Sequence, residues 1–126
     1  MEKSDKTILV VDDQRETVEL FSEMLNLSGY RVQSCTSSDQ AVQVIKSSPP
    51  DGVLLDVMMP EKSGLSVLEF IRNDPHYKAI PVIVISAKCM PGDVAAGMDA
   101  GANQYIAKPV SFLDFKKVLQ DILPTE

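Results

Sequence analysis

Four apolar segments of this 126-residue chain each end on side chains that can bind or accept a phosphoryl group. We interpret each segment as a β-strand of a parallel sheet. The carboxyl ends of such strands meet at one edge, so the residues that follow them should share one pocket. That pocket would hold three carboxylates, one hydroxyl and one ammonium group. Segment 8–11 precedes Asp12 and Asp13, segment 52–55 precedes Asp56, segment 81–85 precedes Ser86, and segment 104–107 precedes Lys108.

The three carboxylates of this pocket predict a bound metal ion. Clustered carboxylates repel one another unless a cation joins them. Mg²⁺ is the natural cation, because it takes hard oxygen ligands and needs only a few carboxylates together with a phosphate oxygen. We therefore expect a magnesium site formed by Asp12, Asp13 and Asp56.

The remaining roles follow from what phosphoryl transfer requires, which is an in-line nucleophile and positive charge on the equatorial oxygens. Asp56 stands alone at the end of its strand and is the best nucleophile, because a carboxylate can form an acyl phosphate. Lys108 would bring a point charge to one phosphate oxygen, and the Ser86 hydroxyl would donate to another. Taken singly, each residue also fits a helix cap, a turn or an exposed surface position, so the prediction rests on the combination.

Strand and helix patterns alternate along the chain, which is typical of a parallel sheet built from βαβ units. We expect a single domain over 1–126, with its core over about 6–123 and five strands and five helices. Gly29 is placed to end the first helix. The predicted strands cover 7–11, 30–35, 52–56, 81–85 and 103–107. The predicted helices cover 15–27, about 37–46 with Ser37 or Ser38 as cap, 64–73, 90–100 and 112–122.

Two of the predicted helices have informative patterns. In the first helix, Val18, Phe21 and Leu25 form one apolar stripe beside Leu20, Met24 and Leu27. The fourth helix is predicted to be the weakest, because it carries Gly92 and Gly97 and an internal Gly costs about 1 kcal/mol relative to Ala. We therefore expect segment 90–100 to be mobile.

The composition argues against several classes of function. Lys and Arg number 12 against 18 Asp and Glu, a formal net charge of −6, so we expect no direct binding to nucleic acid. Cys35 and Cys89 lack the spacing and His neighbours of a zinc or redox site, and we expect reduced thiols. Segment 1–6 lacks the apolar core of a signal peptide, and no stretch approaches the roughly 18 apolar residues of a membrane span. We expect a cytoplasmic protein without membrane contact.

Four motifs carry a family resemblance: ILVVDD, GVLLDVMMP, IPVIVISA and YIAKP. At these intervals the chain resembles, over nearly its whole length, the receiver domain of two-component response regulators. The resemblance implies an α/β fold, a doubly wound five-stranded parallel sheet in the order 2-1-3-4-5 with five helices in a flavodoxin-like three-layer sandwich. It also implies Mg²⁺-dependent phosphorylation of an aspartate by the phosphohistidine of a histidine kinase or phosphotransfer protein.

The resemblance assigns roles to individual positions. Asp56 matches the phosphoacceptor, and Lys108 matches the lysine that contacts phosphate. Ser86 and Tyr105 match the hydroxyl that follows the phosphate and the aromatic residue whose rotation accompanies it. Without the resemblance, packing within its strand is the favoured interpretation of Tyr105. Asp12 and Asp13 match the metal-binding pair, Met58 the residue whose backbone carbonyl is a metal ligand, and Pro60 and Gly64 the loop that follows.

The resemblance also implies what the switch acts on. Phosphorylation would change the surface of helix 4, strand 5 and helix 5, which would control a downstream protein effector or output domain. The chain would promote its own phosphorylation and slow dephosphorylation rather than turn over substrates. We expect either a stand-alone receiver or the receiver portion of a longer chain, as a monomer or weak homodimer.

Three other functions compete with this one. A haloacid-dehalogenase-like phosphatase also uses an aspartate nucleophile and Mg²⁺, but it carries a second acid two residues later. This chain has Met58 there, and a thioether cannot transfer protons. A nucleotide-binding module is disfavoured because neither GxGxxG nor GxxxxGK followed by Ser or Thr comes after the first strand. A non-phosphorylated, receiver-like binding module is disfavoured by the intact set of acids, hydroxyl and lysine.

Overall fold

The computed structural model describes residues 6–59 and 63–124. Most of segment 1–6, for which no signal peptide is predicted, lies outside these ranges. The strands are β1 (Thr7–Val11), β2 (Arg31–Cys35), β3 (Gly52–Leu55), β4 (Val82–Ser86) and β5 (Gln104–Ala107). The helices are α1 (Arg15–Leu27), α2 (Ser38–Ser47), α3 (Leu65–Asn73), α4 (Pro91–Asp99) and α5 (Phe112–Ile122). Within the described ranges, no helix has the length and apolar character needed to cross a bilayer.

The five strands form one parallel sheet in the order β2-β1-β3-β4-β5. This order confirms the predicted doubly wound fold. Every residue of β3 and β4 is buried, whereas β2 and β5 are partly exposed. Helices cover the central strands on both faces, while β2 and β5 lie at the edges of the sheet, which accounts for the difference in burial.

Successive residues of the strands point to opposite faces and form two hydrophobic cores, one on each side of the sheet. One core packs strand residues Leu9, Val11, Val53, Leu55, Val82 and Val84 with helix residues Ala41, Ile45, Val67, Leu68 and Ile71. The other packs strand residues Ile8, Val10, Leu54, Ile83 and Ile85 with helix residues Val18, Phe21, Leu25, Phe115 and Leu119. The predicted three-layer sandwich is confirmed.

The predicted elements agree with the observed ones to within one residue at each end. The start of β2 shows why one residue differs. The Tyr30 amide donates to the Leu25 carbonyl at 3.0 Å, so the Tyr30 backbone belongs to the turn that ends α1 rather than to the strand. Gly29 has a φ of 95°, which confirms its place in that turn.

The predicted apolar stripe of α1, Val18, Phe21 and Leu25, is buried, but two of the apolar residues predicted beside it are exposed. Leu20 is 54% exposed and Leu27 is 73% exposed. The two residues are seven positions apart, so they share the side of the helix that faces solvent. The residues of α1 that are buried are Val18, Phe21, Met24 and Leu25.

Candidate functional site

Two buried carboxylates lie side by side at the carboxyl edge of the sheet. Val11 pairs with Leu55 in the register of β1 and β3, so Asp12 and Asp56 leave the sheet at the same level. The Asp56 amide continues the ladder by donating to the Val11 carbonyl at 2.9 Å. Asp12 is 2% exposed and Asp56 is 7% exposed. Neighbouring carboxylates that are this deeply buried need a cation to offset their charge.

Lys108 supplies a cation to both carboxylates. Its Nζ lies 2.8 Å from Oδ2 of Asp12 and 2.8 Å from Oδ2 of Asp56. Lys108 follows β5 directly, and its amide donates to the Ser86 carbonyl at the end of β4 at 2.9 Å. The lysine side chain therefore passes over the end of β4 to reach the acids that follow β3 and β1.

The second oxygen of each buried carboxylate is held by the loop that follows it. Oδ1 of Asp12 accepts from the Gln14 amide at 2.9 Å, and Oδ1 of Asp56 accepts from the Met58 amide at 2.8 Å. These two contacts are absent from the sequence-based prediction. They could have been predicted from the Asx-turn, in which an aspartate side chain accepts a hydrogen bond from the backbone amide two residues later. With one oxygen on the loop and the other on Lys108, both carboxylates have fixed orientations.

Burial and ion pairing act in opposite directions on the charged groups. Burial raises the pKa of Asp12, and the hydrogen bond from Lys108 offsets only part of this increase. Burial by itself would lower the pKa of Lys108, but the hydrogen bonds to Asp12 and Asp56 outweigh it and raise this pKa. The Lys108 ammonium therefore stays charged at neutral pH.

A third acid completes a group that fits a metal ion. Carboxylate oxygens of Asp12, Asp13 and Asp56 all lie within 4.8 Å of one another, and Asp13 is the exposed member. One ammonium offsets one of their three negative charges, so two remain. Hard oxygen donors with this excess charge suit a divalent cation such as Mg²⁺. Elsewhere in residues 6–59 and 63–124, no three side chains of Asp, Glu, His or Cys come close enough to hold an ion.

The loop after β3 passes close to the acids. Met58 is half exposed, and its amide is used by Asp56. A Cβ placed on Gly64 would lie 2.3 Å from the Asp56 carbonyl oxygen, so only glycine lets the chain return this close to the strand end. The predicted loop residue Pro60 lies outside the described residues.

Ser86 and Tyr105 meet on the backbone of one residue, Lys88. Ser86 is fully buried, and its Oγ accepts from the Lys88 amide at 3.1 Å. The Tyr105 hydroxyl donates to the Lys88 carbonyl. Burial raises the pKa of Tyr105, so its hydroxyl remains a donor at neutral pH. The structure therefore joins the two predicted sensing residues through the backbone between them.

A surface depression of about 680 Å³ gives access to this group of residues. Its lining includes Asp13, Asp56, Met58, Lys88 and Lys108, but not Asp12. A larger groove of about 980 Å³ lies beside α2 and α3 and contains none of the predicted site residues. Chemistry, rather than size, identifies the smaller depression as the candidate site.

A family-wide sequence model described as the response regulator receiver domain matches residues 8–120. The chain belongs to this family. The match takes in both edge strands and every residue of the acid, hydroxyl and lysine set. The receiver resemblance inferred from the four motifs is therefore confirmed.

Similar proteins differ in how much of their length this receiver domain covers. The chain is 31% identical over 118 residues to the polar-differentiation response regulator DivK of Brucella ovis, covering 94% of this chain and 96% of DivK. It is 40% identical over 108 residues to a Vibrio cholerae protein named "Probable cyclic di-GMP phosphodiesterase". That match covers 86% of this chain but only 24% of the Vibrio protein. The phosphodiesterase name therefore describes a much longer protein.

Solved receiver structures have the same fold. The chemotaxis protein CheY4 of Vibrio cholerae superposes with a TM-score of 0.88 at 25% identity, covering 94% of this chain and 98% of CheY4. The phosphorylated cyanobacterial phytochrome response regulator RcpA superposes with a TM-score of 0.85 at 29% identity, covering 96% of each chain.

Family membership establishes the general function of the chain. A receiver domain is a phosphorylation-dependent signalling switch rather than a conventional enzyme. Receiver domains bind Mg²⁺, and they act between a histidine kinase or phosphotransfer protein and a downstream effector. The phosphatase alternative weighed from the sequence finds no support in these comparisons.

Proposed function

We propose that Asp56 accepts a phosphoryl group from the phosphohistidine of a sensor kinase or phosphotransfer protein. The observation that carries this proposal is the position of Asp56, which is paired with Lys108 and also lines the surface depression. Asp12 shares the same lysine but does not line the depression. Of the two buried carboxylates, Asp56 is therefore the one that a phosphodonor can reach from solvent.

The proposed transfer exchanges one bond for another. A carboxylate oxygen of Asp56 forms a bond to phosphorus while the phosphorus–nitrogen bond of the phosphohistidine breaks, and the released imidazole takes up a proton. Mg²⁺, when bound, offsets the charge on the phosphoryl oxygens. Asp12, Asp13, Asp56 and the backbone carbonyl of Met58 would hold it.

Lys108 and Ser86 would then bind the new phosphoryl group. The Lys108 ammonium already lies 2.8 Å from Asp56, so it is within reach of a phosphoryl oxygen on the same side chain. Ser86 Oγ accepts from the Lys88 amide, so this contact does not use the Ser86 hydroxyl proton, which can donate to a phosphoryl oxygen. Both contacts are charge-assisted hydrogen bonds, the strong class.

We propose that the signal leaves through the surface of α4, β5 and α5. Ser86 and Tyr105 both bind the backbone of Lys88, so movement of Ser86 toward the phosphoryl group alters the support of Tyr105. Exposed apolar side chains on this side, including Met98 of α4 and Leu113 of α5, suit a protein partner rather than nucleic acid. The proposed setting is cytoplasmic, with the receiver as a single domain and a monomer or weak homodimer.

The phosphoacceptor is tested with acetyl phosphate and Mg²⁺, followed by intact mass measurement. We expect one phosphoryl group per wild-type chain, none on Asp56→Asn, and full modification of the control Asp121→Asn, which changes an exposed acid of α5. Equal modification of wild type and Asp56→Asn would contradict the assignment. Many turnovers of small phosphoesters per chain would instead support a phosphatase.

A further inference from the structure

Gly97 is the only buried residue of α4. It is buried because the ring of Tyr105, in β5, packs against it. A Cβ placed on Gly97 would lie 2.6 Å from Cδ2 and 2.7 Å from Cε2 of Tyr105. These distances are too short for non-bonded carbon atoms, whose optimal separation is about 3.5 to 4.0 Å. The Tyr105 ring can therefore occupy its present position only when residue 97 lacks a side chain.

The second glycine of the helix provides a contrast. A Cβ placed on Gly92 would meet no atom within 4 Å. Both residues are glycines of the same helix, but only Gly97 makes room for another residue. The contact at Gly97 is thus a specific feature and not a general property of a glycine-containing helix.

The position of the Tyr105 ring is linked to the site through Lys88. The Tyr105 hydroxyl donates to the Lys88 carbonyl, and the Lys88 amide donates to Ser86 Oγ at 3.1 Å. If the ring were displaced from Gly97, the hydrogen bond from the Tyr105 hydroxyl to the Lys88 carbonyl would be lost. The backbone from Ser86 to Lys88 would then be less ordered in the absence of a phosphoryl group. Ordering this backbone on binding costs free energy, so the affinity for the phosphoryl group would be lower.

We propose that Gly97 is a positioning residue of the switch. By leaving space for the Tyr105 ring, Gly97 permits the Tyr105 to Lys88 hydrogen bond and so keeps Lys88 in place to donate to Ser86 Oγ. The steric part of this proposal rests on the fold alone. The effect on the phosphoryl site rests on the proposed function, in which Ser86 binds the phosphoryl group on Asp56.

The steric part is tested by fluorine NMR of protein labelled with 3-fluorotyrosine. The chain has three tyrosines, and the Tyr105 signal is identified by its loss in Tyr105→Phe. We expect Gly97→Ala to move the Tyr105 signal while leaving those of Tyr30 and Tyr77 in place. The control Gly92→Ala should move none of them. An unmoved Tyr105 signal in Gly97→Ala would overturn the proposal.

A thermal unfolding cycle covers the case in which Gly97→Ala is poorly folded. The same substitution is made in a Tyr105→Ala background, where the ring is gone and alanine at 97 has room. We expect the change in Tm caused by Gly97→Ala to be more favourable by about 5 °C in that background than in the wild type. Equal changes in the two backgrounds would show that the ring does not restrict residue 97.

The link to the phosphoryl site is tested by titrating beryllofluoride in the presence of Mg²⁺. We expect Gly97→Ala to weaken binding about threefold to tenfold, the range for one lost hydrogen bond, and Gly92→Ala to leave it unchanged. In the Tyr105→Ala background, Gly97→Ala should have no further effect. Unchanged affinity in Gly97→Ala, with the Tyr105 signal moved, would overturn the link. No binding to wild type would instead contradict the proposed function and leave the steric result standing.

Discussion

At the scale of single residues, the site contains three carboxylates and one ammonium group, and two of the carboxylates are buried. Lys108 pairs with Asp12 and Asp56 at 2.8 Å each, and Asp13 adds a third acid from the exposed side. The excess of negative charge costs stability in the absence of a cation. The acids that would bind the metal therefore lower the stability of the fold when no cation is bound, and a bound divalent cation restores this stability.

This excess of negative charge predicts a stabilising effect of Mg²⁺ that depends on Asp13. At ten times its Kd, Mg²⁺ should stabilise the wild type by about 1.4 kcal/mol and raise Tm by about 3 to 6 °C in a thermal melt. Asp13→Asn should lose most of this shift, whereas Asp121→Asn should keep it. A full shift in Asp13→Asn would remove Asp13 from the metal site.

The two cysteines differ in reactivity at the same scale. Both are free; Cys35 is buried and Cys89 is exposed. Burial raises the pKa of Cys35 to about 11, so only about 0.1% of this thiol is ionised at pH 8. We expect iodoacetamide to modify Cys89 at least about 100-fold faster than Cys35, as followed by peptide mass mapping. In guanidinium chloride the two rates should become similar, and similar rates in the native protein would contradict the buried position of Cys35.

At the scale of elements, Arg72 of α3 forms hydrogen bonds to the loops that precede and follow β4. Its guanidinium donates to the carbonyls of Gly101, Lys78 and Ile80 and to the side chain of Asn103, at 2.7 to 3.0 Å. Asn103 in turn accepts from the amide that begins β4. Nothing in the sequence around Arg72 indicates this role, because its partners lie up to 31 positions away.

Removing this guanidinium should destabilise the fold. We expect Arg72→Ala to lower the free energy of unfolding by about 2 to 4 kcal/mol, because four acceptors each lose one hydrogen bond. Arg72→Lys should recover only part of the loss, since an ammonium cannot reproduce the planar fork. Urea denaturation followed by circular dichroism measures both. The exposed Arg15, replaced by alanine, is the control with an expected change below about 0.5 kcal/mol; a similarly small change for Arg72→Ala would refute this role.

The helix α4 is the element for which the sequence predicted the fewest tertiary contacts. Its glycines predict low local stability, and the structure shows that one of them is also a contact point for Tyr105. The predicted mobility of segment 90–100 stays a prediction. The contact at Gly97 could not be read from the sequence, since it joins two elements.

At the scale of the whole molecule, the site and the contacts that hold the segment after α5 lie at opposite edges of the sheet. The site is at the carboxyl edge. At the amino edge, the Tyr30 hydroxyl donates to the Leu123 carbonyl and Lys6 Nζ donates to the Pro124 carbonyl at 2.6 Å. A Cβ on Gly52, the first residue of β3, would meet the Leu123 side chain at 2.3 Å. The segment after α5 is thus packed against the start of the sheet.

This separation predicts that stability and phosphoryl binding can be changed independently. Tyr30→Phe leaves the Leu123 carbonyl without its donor and should lower the free energy of unfolding by about 1 to 2 kcal/mol in urea. Beryllofluoride affinity should stay within twofold of the wild type. Tyr77→Phe is the matched control, with an expected change below about 0.5 kcal/mol. A large loss of beryllofluoride affinity in Tyr30→Phe would show that the two edges are coupled.

The sequence alone was sufficient to predict the order of elements, their bounds to within one residue and the candidates for the site. These features follow from local patterns: hydrophobic period, turn residues and the rule that parallel strands end at one edge of a sheet. Tertiary structure was needed to show that Lys108 reaches Asp12 as well as Asp56, that Leu20 faces solvent, and that Gly97 makes room for Tyr105. Each of these is a contact, or a missing contact, between residues far apart in the chain. Local pattern places a residue on an element, but only packing determines which distant residue it meets.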